Sequence, residues 1–270
     1  MQQHIRPPAV AGMFYTGEAQ ALAGEIATML AEAHPPAAKH ITPKALIVPH
    51  AGHIYSGPIA ASAYALLAPV AKVIRRVVLF GPAHRVAVDG LALPAADAFA
   101  TPLGVIQLDL AAMQAAQNLP QVSVSAAAHA MEHSLEVQLP FLQGILDDFR
   151  LVPFVVGHTS GHEVAEVIDL LWGGPETLIV ISSDLSHYLP YATARQKDQA
   201  TTASILQLAP LTEFEQACGA LPINGMIEVA RRRGLMPTLL DLRNSGDTAG
   251  DKSRVVGYAS FAFEESGHVH

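Results

Sequence analysis

Thirteen histidines and a single cysteine, Cys218, set the question of what chemistry this 270-residue chain can do. Two of the histidines follow apolar runs in matching contexts, His50 in Pro49-His50-Ala51-Gly52 and His84 in Gly81-Pro82-Ala83-His84. Two imidazoles and a thiolate suit a first-row transition ion, and three protein ligands leave positions open for water or substrate. Each residue also has a plainer reading, because turn histidines are often structural and a free cysteine between helical stretches packs as a small hydrophobe. The coincidence of two such turns points to His50 and His84 as a pair, and the only thiol, Cys218, is the candidate third ligand beside its plainer reading. Neutral imidazoles and one thiolate would leave a divalent ion with a net charge of about +1, able to polarise an anion or acidify water.

Asp184 and His187 stand three apart in SSDLSHY, a spacing that on a helical turn shares one face and lets the carboxylate orient the imidazole. His187 is then a candidate general acid/base with Asp184 beside it. The alternative is that Asp184 caps the following turn. The run His129-Ala130-Met131-Glu132-His133 fits the H-x-x-E-H pattern of inverted zinc peptidases, with Glu132 as base, and puts zinc-dependent hydrolysis among the readings. His53, His158 and His162 are isolated in turns or helix starts. The chain has no G-x-G-x-x-G, Walker-type lysine loop or G-x-S-x-G elbow, so dinucleotide binding, phosphoryl transfer and serine hydrolysis lose their usual handles.

These residues need a scaffold, and the apolar pattern supplies one. Short β-branched runs at 45–48, 77–80, 151–156 and 178–181 are continuous rather than alternating, as in strands covered on both faces. They alternate with helical patterns at 57–67, 134–146, 163–172 and 192–208, which predicts an α/β fold, one domain over 1–270, with a mostly parallel central sheet and helices on both faces. Residues 90–108, with Pro94, Pro102 and Gly104, read as a small hairpin insertion. Residues 236–242 and 255–263 read as a closing strand pair around the polar loop RNSGDTAGDKS. In open α/β sheets ligands gather at the carboxyl ends of strands, which is where His50, His84, Asp184 and His187 fall.

Composition narrows the function classes. Half of the residues are hydrophobic and 15% are charged, enough for a large core and against folding on binding. Sixteen basic against 24 acidic residues give a net charge of -8 with no basic run, which argues against nucleic acid as a partner. No apolar run reaches the roughly 18 residues that span a bilayer, and MQQHIRPPAVAG lacks the pattern of an export signal, so no membrane partner is expected. A lone thiol cannot form an internal disulfide, which suits a reducing cytoplasmic location. The terminal residues 267–270, with two histidines, are assigned no role.

Six ordered blocks carry a resemblance: RPPAVAGMFY at 6–15, VPHAGHIYSG at 48–57, FGPAH at 80–84, EHSLEVQLPFL at 132–142, SSDLSHY at 182–188, and Cys218-Gly219. Together they resemble the Memo family, named for a mediator of cell motility, whose microbial members are called component B of the AmmeMemoRadiSam system. The resemblance implies a fold similar to the class III extradiol dioxygenases, which hold non-haem Fe(II) with two histidines and a carboxylate. In Memo-like proteins a cysteine replaces that carboxylate.

Carried over by motif, the resemblance implies His50, His84 and Cys218 as ligands and His187 as the acid/base. Asp184, His133 and Tyr55 would line the same cavity. His53 stands where the family usually has an aromatic residue, which makes it an altered pocket wall or an extra ligand. The expected function is an iron-dependent redox enzyme acting on a small molecule or peptide with a radical SAM protein as partner, with copper or zinc as the other metals. The exchange of carboxylate for thiolate changes softness and redox behaviour, so ring cleavage does not follow from the fold. The alternatives are a metal-independent binding module for a peptide or phosphorylated ligand, and a zinc-dependent hydrolase.

Overall fold

The computed structural model describes residues 3–33 and 41–265, so the histidine-bearing tail at 267–270 lies outside it. The four predicted apolar runs form the strands Ala45–Val48, Arg76–Pro82, Arg150–Val156 and Thr177–Ser182. They are buried almost throughout, which explains why they read as unbroken apolar segments. All are parallel, with Thr177–Ser182 between Ala45–Val48 and Arg76–Pro82, and Arg150–Val156 on the far side of the latter. Val48 pairs with Ser182 and Phe80 with Ile181. This register makes the segments that carry His50, His84 and Asp184 leave the sheet at one rim.

Among the described residues five further strands, mostly in antiparallel pairs, extend this core to nine. Val255–Glu265 joins one edge against Ala45–Val48, and it also pairs with Leu235–Asn244 and His187–Leu189. At the other edge Leu91–Leu93 runs antiparallel to Arg150–Val156 and parallel to Val122–Val124. Helices flank the sheet: Ala19–Glu32, His53–Tyr64 and Leu139–Ile145 pack on one another, and Gly161–Leu170 packs on Ala220–Arg233. The predicted α/β fold with a mostly parallel centre is the one observed. Among the described residues no helix is long and apolar enough to cross a membrane.

Several local expectations change. Residues 90–108 are not a self-contained hairpin: Leu91–Leu93 joins the main sheet, while Ala98–Thr101 and Gly104–Gln107 form a second sheet with Ile5–Arg6. Local spacing could not show this, because the completing strand lies about ninety residues earlier in the chain. The predicted helix 134–146 begins as a 3-10 turn, Glu136–Gln138, before Leu139–Ile145. Within the polar loop, Ser245–Thr248 forms one helical turn capped by the Asn244 side chain. The helix Ala19–Glu32 went unpredicted because its cap is Glu18, whose carboxylate accepts from the amides of Gln20 and Ala21, rather than a Ser, Thr, Asp or Asn.

One buried network fixes the segment that reaches the rim from outside the sheet. Arg6 donates to Glu136 at 2.6 Å and to the carbonyls of His129 and Glu132. Glu136 also accepts from the Tyr15 hydroxyl at 2.7 Å and from the amides of Ala9 and Val10. The N-terminal block is thereby stapled to the segment carrying Glu132 and His133.

Candidate metal centre

His50 follows its strand by two residues, and its backbone amide donates to Asp184 Oδ1 at 2.7 Å. Its Nδ1 lies 2.9 Å from Ser182 Oγ. That hydroxyl has one proton, directed to the Ser134 carbonyl at 2.6 Å, and it accepts from the Gln138 amide nitrogen at 2.8 Å. Its remaining role toward His50 is acceptor, so His50 Nδ1 carries the hydrogen and Nε2 presents a lone pair. Nε2 faces Cys218 Sγ at 3.3 Å.

His84 is oriented in the same way by a carboxylate. Its Nδ1 lies 2.9 Å from Glu132 Oε1 and its amide donates to Oε2 at 2.7 Å, so the other ring nitrogen is free to ligate. Glu132 also accepts from the amides of His133 and Ser134. Burial alone would raise its pKa, but the hydrogen bonds from the His84 ring and from the Ser134 and His84 amides outweigh it and bring Glu132 down to about 2. His133 stacks on His84 with centroids 4.6 Å apart, and its Nδ1 is buried without a hydrogen-bond partner. One ligand atom from each of His50, His84 and His133 lies within 4.8 Å of the others.

Electrostatics keep these donors available. Burial, and then His84, lower the His50 pKa to about 3; burial, and then His50 and His84, lower that of His133 to about 4. Both rings are neutral at pH 7. Burial, and then Asp184, push the Cys218 thiol up to about 12. Without a cation the sulfur keeps its proton and can donate it to His50 Nε2.

The loop carrying Cys218 is held by its own amide on the Asp184 carbonyl and by the Gly219 amide on Ser183 Oγ. A Cβ on Gly219 would lie 2.7 Å from Ser183 Cβ and 2.9 Å from the Ser182 carbonyl, so only glycine lets the loop come this close. Two donors at 2.0–2.3 Å on a tetrahedral ion are about 3.5 Å apart. The 3.3 Å between His50 Nε2 and Cys218 Sγ matches that edge. With neutral imidazoles, an orphaned buried nitrogen and a thiol, the residues present fit a first-row transition ion.

A cavity of about 710 Å³ opens over the cluster, lined by His50, His84, His133, Asp184, His187 and Tyr55 among others. Cys218 lines a neighbouring cavity of about 520 Å³ instead, and His84 borders both. His187 is exposed in the strand His187–Leu189. The expected helical turn shared with Asp184 does not form, since the chain passes from one strand to the next, and Asp184 caps the His50 and Ala51 amides instead. His53 does not line this cavity: its Nε2 sits 3.0 Å from the Val137 carbonyl, and it borders an adjoining space of about 760 Å³ that shares Met13 and Phe14 with the first.

A family profile described as "Memo-like protein" matches residues 6–262. This chain belongs to the Memo-like family. A MEMO1 family protein of Aquifex aeolicus is 36% identical over 96% of this chain and 99% of its own length. Relatives of the same description from Sulfurisphaera tokodaii and Methanosarcina barkeri are 34% and 36% identical, again over 96% of this chain and 99% and 100% of theirs. An uncharacterized protein of Escherichia coli K12 superposes with a TM-score of 0.48 at 14% identity, over 80% of this chain and 98% of that one.

Within this Memo-like chain the peptidase pattern separates. His129 turns inward, with Nε2 2.8 Å from the Ala92 carbonyl, because the helix Ala126–Ala130 ends before it can align both histidines. Glu132, which the pattern cast as a base, is occupied by His84 and by backbone amides. Ser182, Gln138 and Ser134, which fix the His50 ring, were not singled out. The one available signal was that Ser134 and Gln138 are four apart in EHSLEVQL, a spacing that puts two polar groups on one side of a helical turn.

Proposed function

We propose that this protein is a metal-dependent redox enzyme in which His50, His84 and Cys218 hold a non-haem Fe(II) ion, with His133 as an adjoining donor. The observation carrying this reading is His50 Nε2 facing Cys218 Sγ at ligand-edge distance, with the lone pairs of His84 and His133 gathered beside it. When bound, the ion would supply Lewis acidity and a reversible one-electron change. Thiolate and imidazole favour iron, copper or zinc over magnesium or calcium.

The chain's own contributions are positional and protonic. Ser182 and Glu132 set the tautomers of His50 and His84, and burial keeps both His50 and His133 free of a second proton. Cys218 surrenders its thiol proton on ligation, which makes metal affinity rise with pH. His187, exposed on the cavity wall, takes or gives a proton at a bound substrate, and Asp184 holds the His50 backbone in register. The Memo resemblance supports a radical SAM protein as functional partner.

Anaerobic purification with metal analysis is the test. Iron should be retained by the unaltered protein and lost in His50→Ala and Cys218→Ser, with a smaller loss in His133→Ala. Unchanged iron in the first two variants would overturn the site; a larger loss in His133→Ala would move the third ligand to that residue. Bound zinc with no redox change would favour hydrolysis, and peptide affinity that survives chelation would favour a binding module.

A further inference from the structure

Several arginines of this acidic chain are matched to carboxylates: Arg6 with Glu136, Arg76 with Asp109, Arg232 and Arg233 with Asp169, and Arg243 with Asp241. Arg85 and Arg254 differ. Both are exposed, both line the 710 Å³ cavity over the histidine cluster, and among the described residues neither forms an ion pair or a hydrogen bond. The guanidinium of Arg254 instead lies 5.3 Å from the centroid of the Tyr188 ring. Such stacking presents the planar donor fork without spending its hydrogen bonds.

Tyr188 itself is held at φ +57°, a left-handed conformation uncommon for an aromatic residue. Strain of that kind persists where the surrounding structure fixes it, and it concentrates at ligand sites. Tyr55, partly exposed, and Tyr258, buried, line the same cavity, so planar, largely apolar surfaces accompany the two cations. One carboxylate, Asp251, shares the mouth, with Oδ1 accepting from the Ser253 amide. The cavity's other carboxylate, Asp184, is buried and held by the His50 and Ala51 amides, so at the exposed mouth two guanidiniums face the single carboxylate of Asp251 and leave one positive charge to match.

We propose that this cavity recognises a small organic monoanion, a carboxylate on a flat apolar body, with the carboxylate on Arg85 and Arg254 and the body between Tyr55, Tyr188 and Tyr258. The inference deepens the reading above and rests on it only for what becomes of the bound molecule. A guanidinium and a carboxylate match as a pair of parallel hydrogen bonds, which gives orientation as well as affinity. A dianion would place its second charge against Asp251.

The test titrates the full chain, chelated and iron-loaded, with benzoate, with neutral benzyl alcohol and with phenyl phosphate, read by calorimetry and by ligand-observed NMR. Benzoate should bind saturably, more tightly than benzyl alcohol, in both forms of the protein. Arg254→Met and Arg85→Met should each weaken benzoate about tenfold, the worth of one charge-assisted hydrogen bond, and leave benzyl alcohol unchanged. Unaltered thermal melting of the variants shows that they fold. Absence of benzoate binding, equal binding of benzyl alcohol, or indifference to both substitutions overturns the proposal, and tighter phenyl phosphate overturns its monoanion assignment. Arginine-dependent benzoate binding in a protein that never takes up iron would sink the metal reading alone. Normal iron uptake in Arg254→Met without benzoate recognition would sink this one alone.

Discussion

Glu136 and His133 lie three residues apart on one segment, yet their surroundings differ in kind. The Glu136 carboxylate is fully buried and answered by Arg6, by Tyr15 and by two backbone amides. His133 keeps a buried Nδ1 that makes no hydrogen bond, 3.5 Å from the Glu132 carboxylate, and the neighbouring His50 turns its lone pair toward a thiol. A saturated network holds structure, whereas a cluster of oriented but unanswered donors is ready for something the chain does not itself contain. The first region positions the second, since Arg6 also binds the Glu132 carbonyl.

Breaking the saturated side should have the largest effect. Glu136→Ala leaves the Arg6 guanidinium buried and unpaired, and should lower stability by about 3–5 kcal/mol, measured by urea unfolding of the metal-free protein. A loss under about 1 kcal/mol would mean that the network is not structural. Metal affinity in this variant should fall only as far as the Glu132 segment loosens.

Next comes the bond that orients one ligand. Glu132→Gln keeps shape but removes the charge facing His84 Nδ1, and should cost about 10–100-fold in metal affinity with a smaller change in stability. Competition with a chelator would measure it. Equal affinity in the two proteins would remove Glu132 from the centre.

Acid acts first through the buried histidines. His50, His129 and His133 have folded-state pKa values depressed below the ordinary 6.5, so the unfolded chain binds more protons below that pH. The contribution of these neutral histidines to metal-free stability should therefore be complete above about pH 6.5 and decline as pH falls toward 4. Glu132, depressed from 4.5 to about 2, adds its own loss only below about 4.5. A denaturation midpoint equal at pH 7 and pH 5 would contradict the buried neutral histidines. The smallest effect belongs to His53→Phe, which trades one hydrogen bond to Val137 for relief of an unpartnered Nδ1, and should move stability by less than about 1 kcal/mol with metal content unchanged.

Much of the scaffold was legible along the chain. The four central strands and the rim they share follow from apolar runs that end in His50, His84 and Asp184, because a strand covered on both faces must be apolar throughout. The closing pair Leu235–Asn244 and Val255–Glu265 was legible from two runs flanking a polar loop rich in turn residues. The pairing of Ile5–Arg6 with Ala98–Thr101 was not, since nothing local marks a partner that distant. At the site, types and turns singled out His50, His84, Cys218 and Asp184, but not which atoms they offer one another. Asp184 was expected to steer His187 and instead ties the His50 loop, because the chain enters a strand where a helical turn was read.

By itself the sequence determined the layered α/β fold and supplied two strand-end histidines and one thiol, since apolar periodicity and strand ends are local properties of the chain. Tertiary structure alone decided that His133 stands with His50 and His84 while His129 faces the core, that Ser182 and Glu132 choose the tautomers, and that sulfur meets one imidazole at 3.3 Å. The physical reason is that donor geometry depends on register between segments far apart in sequence, and burial, which sets the protonation of each group, exists only once they have packed.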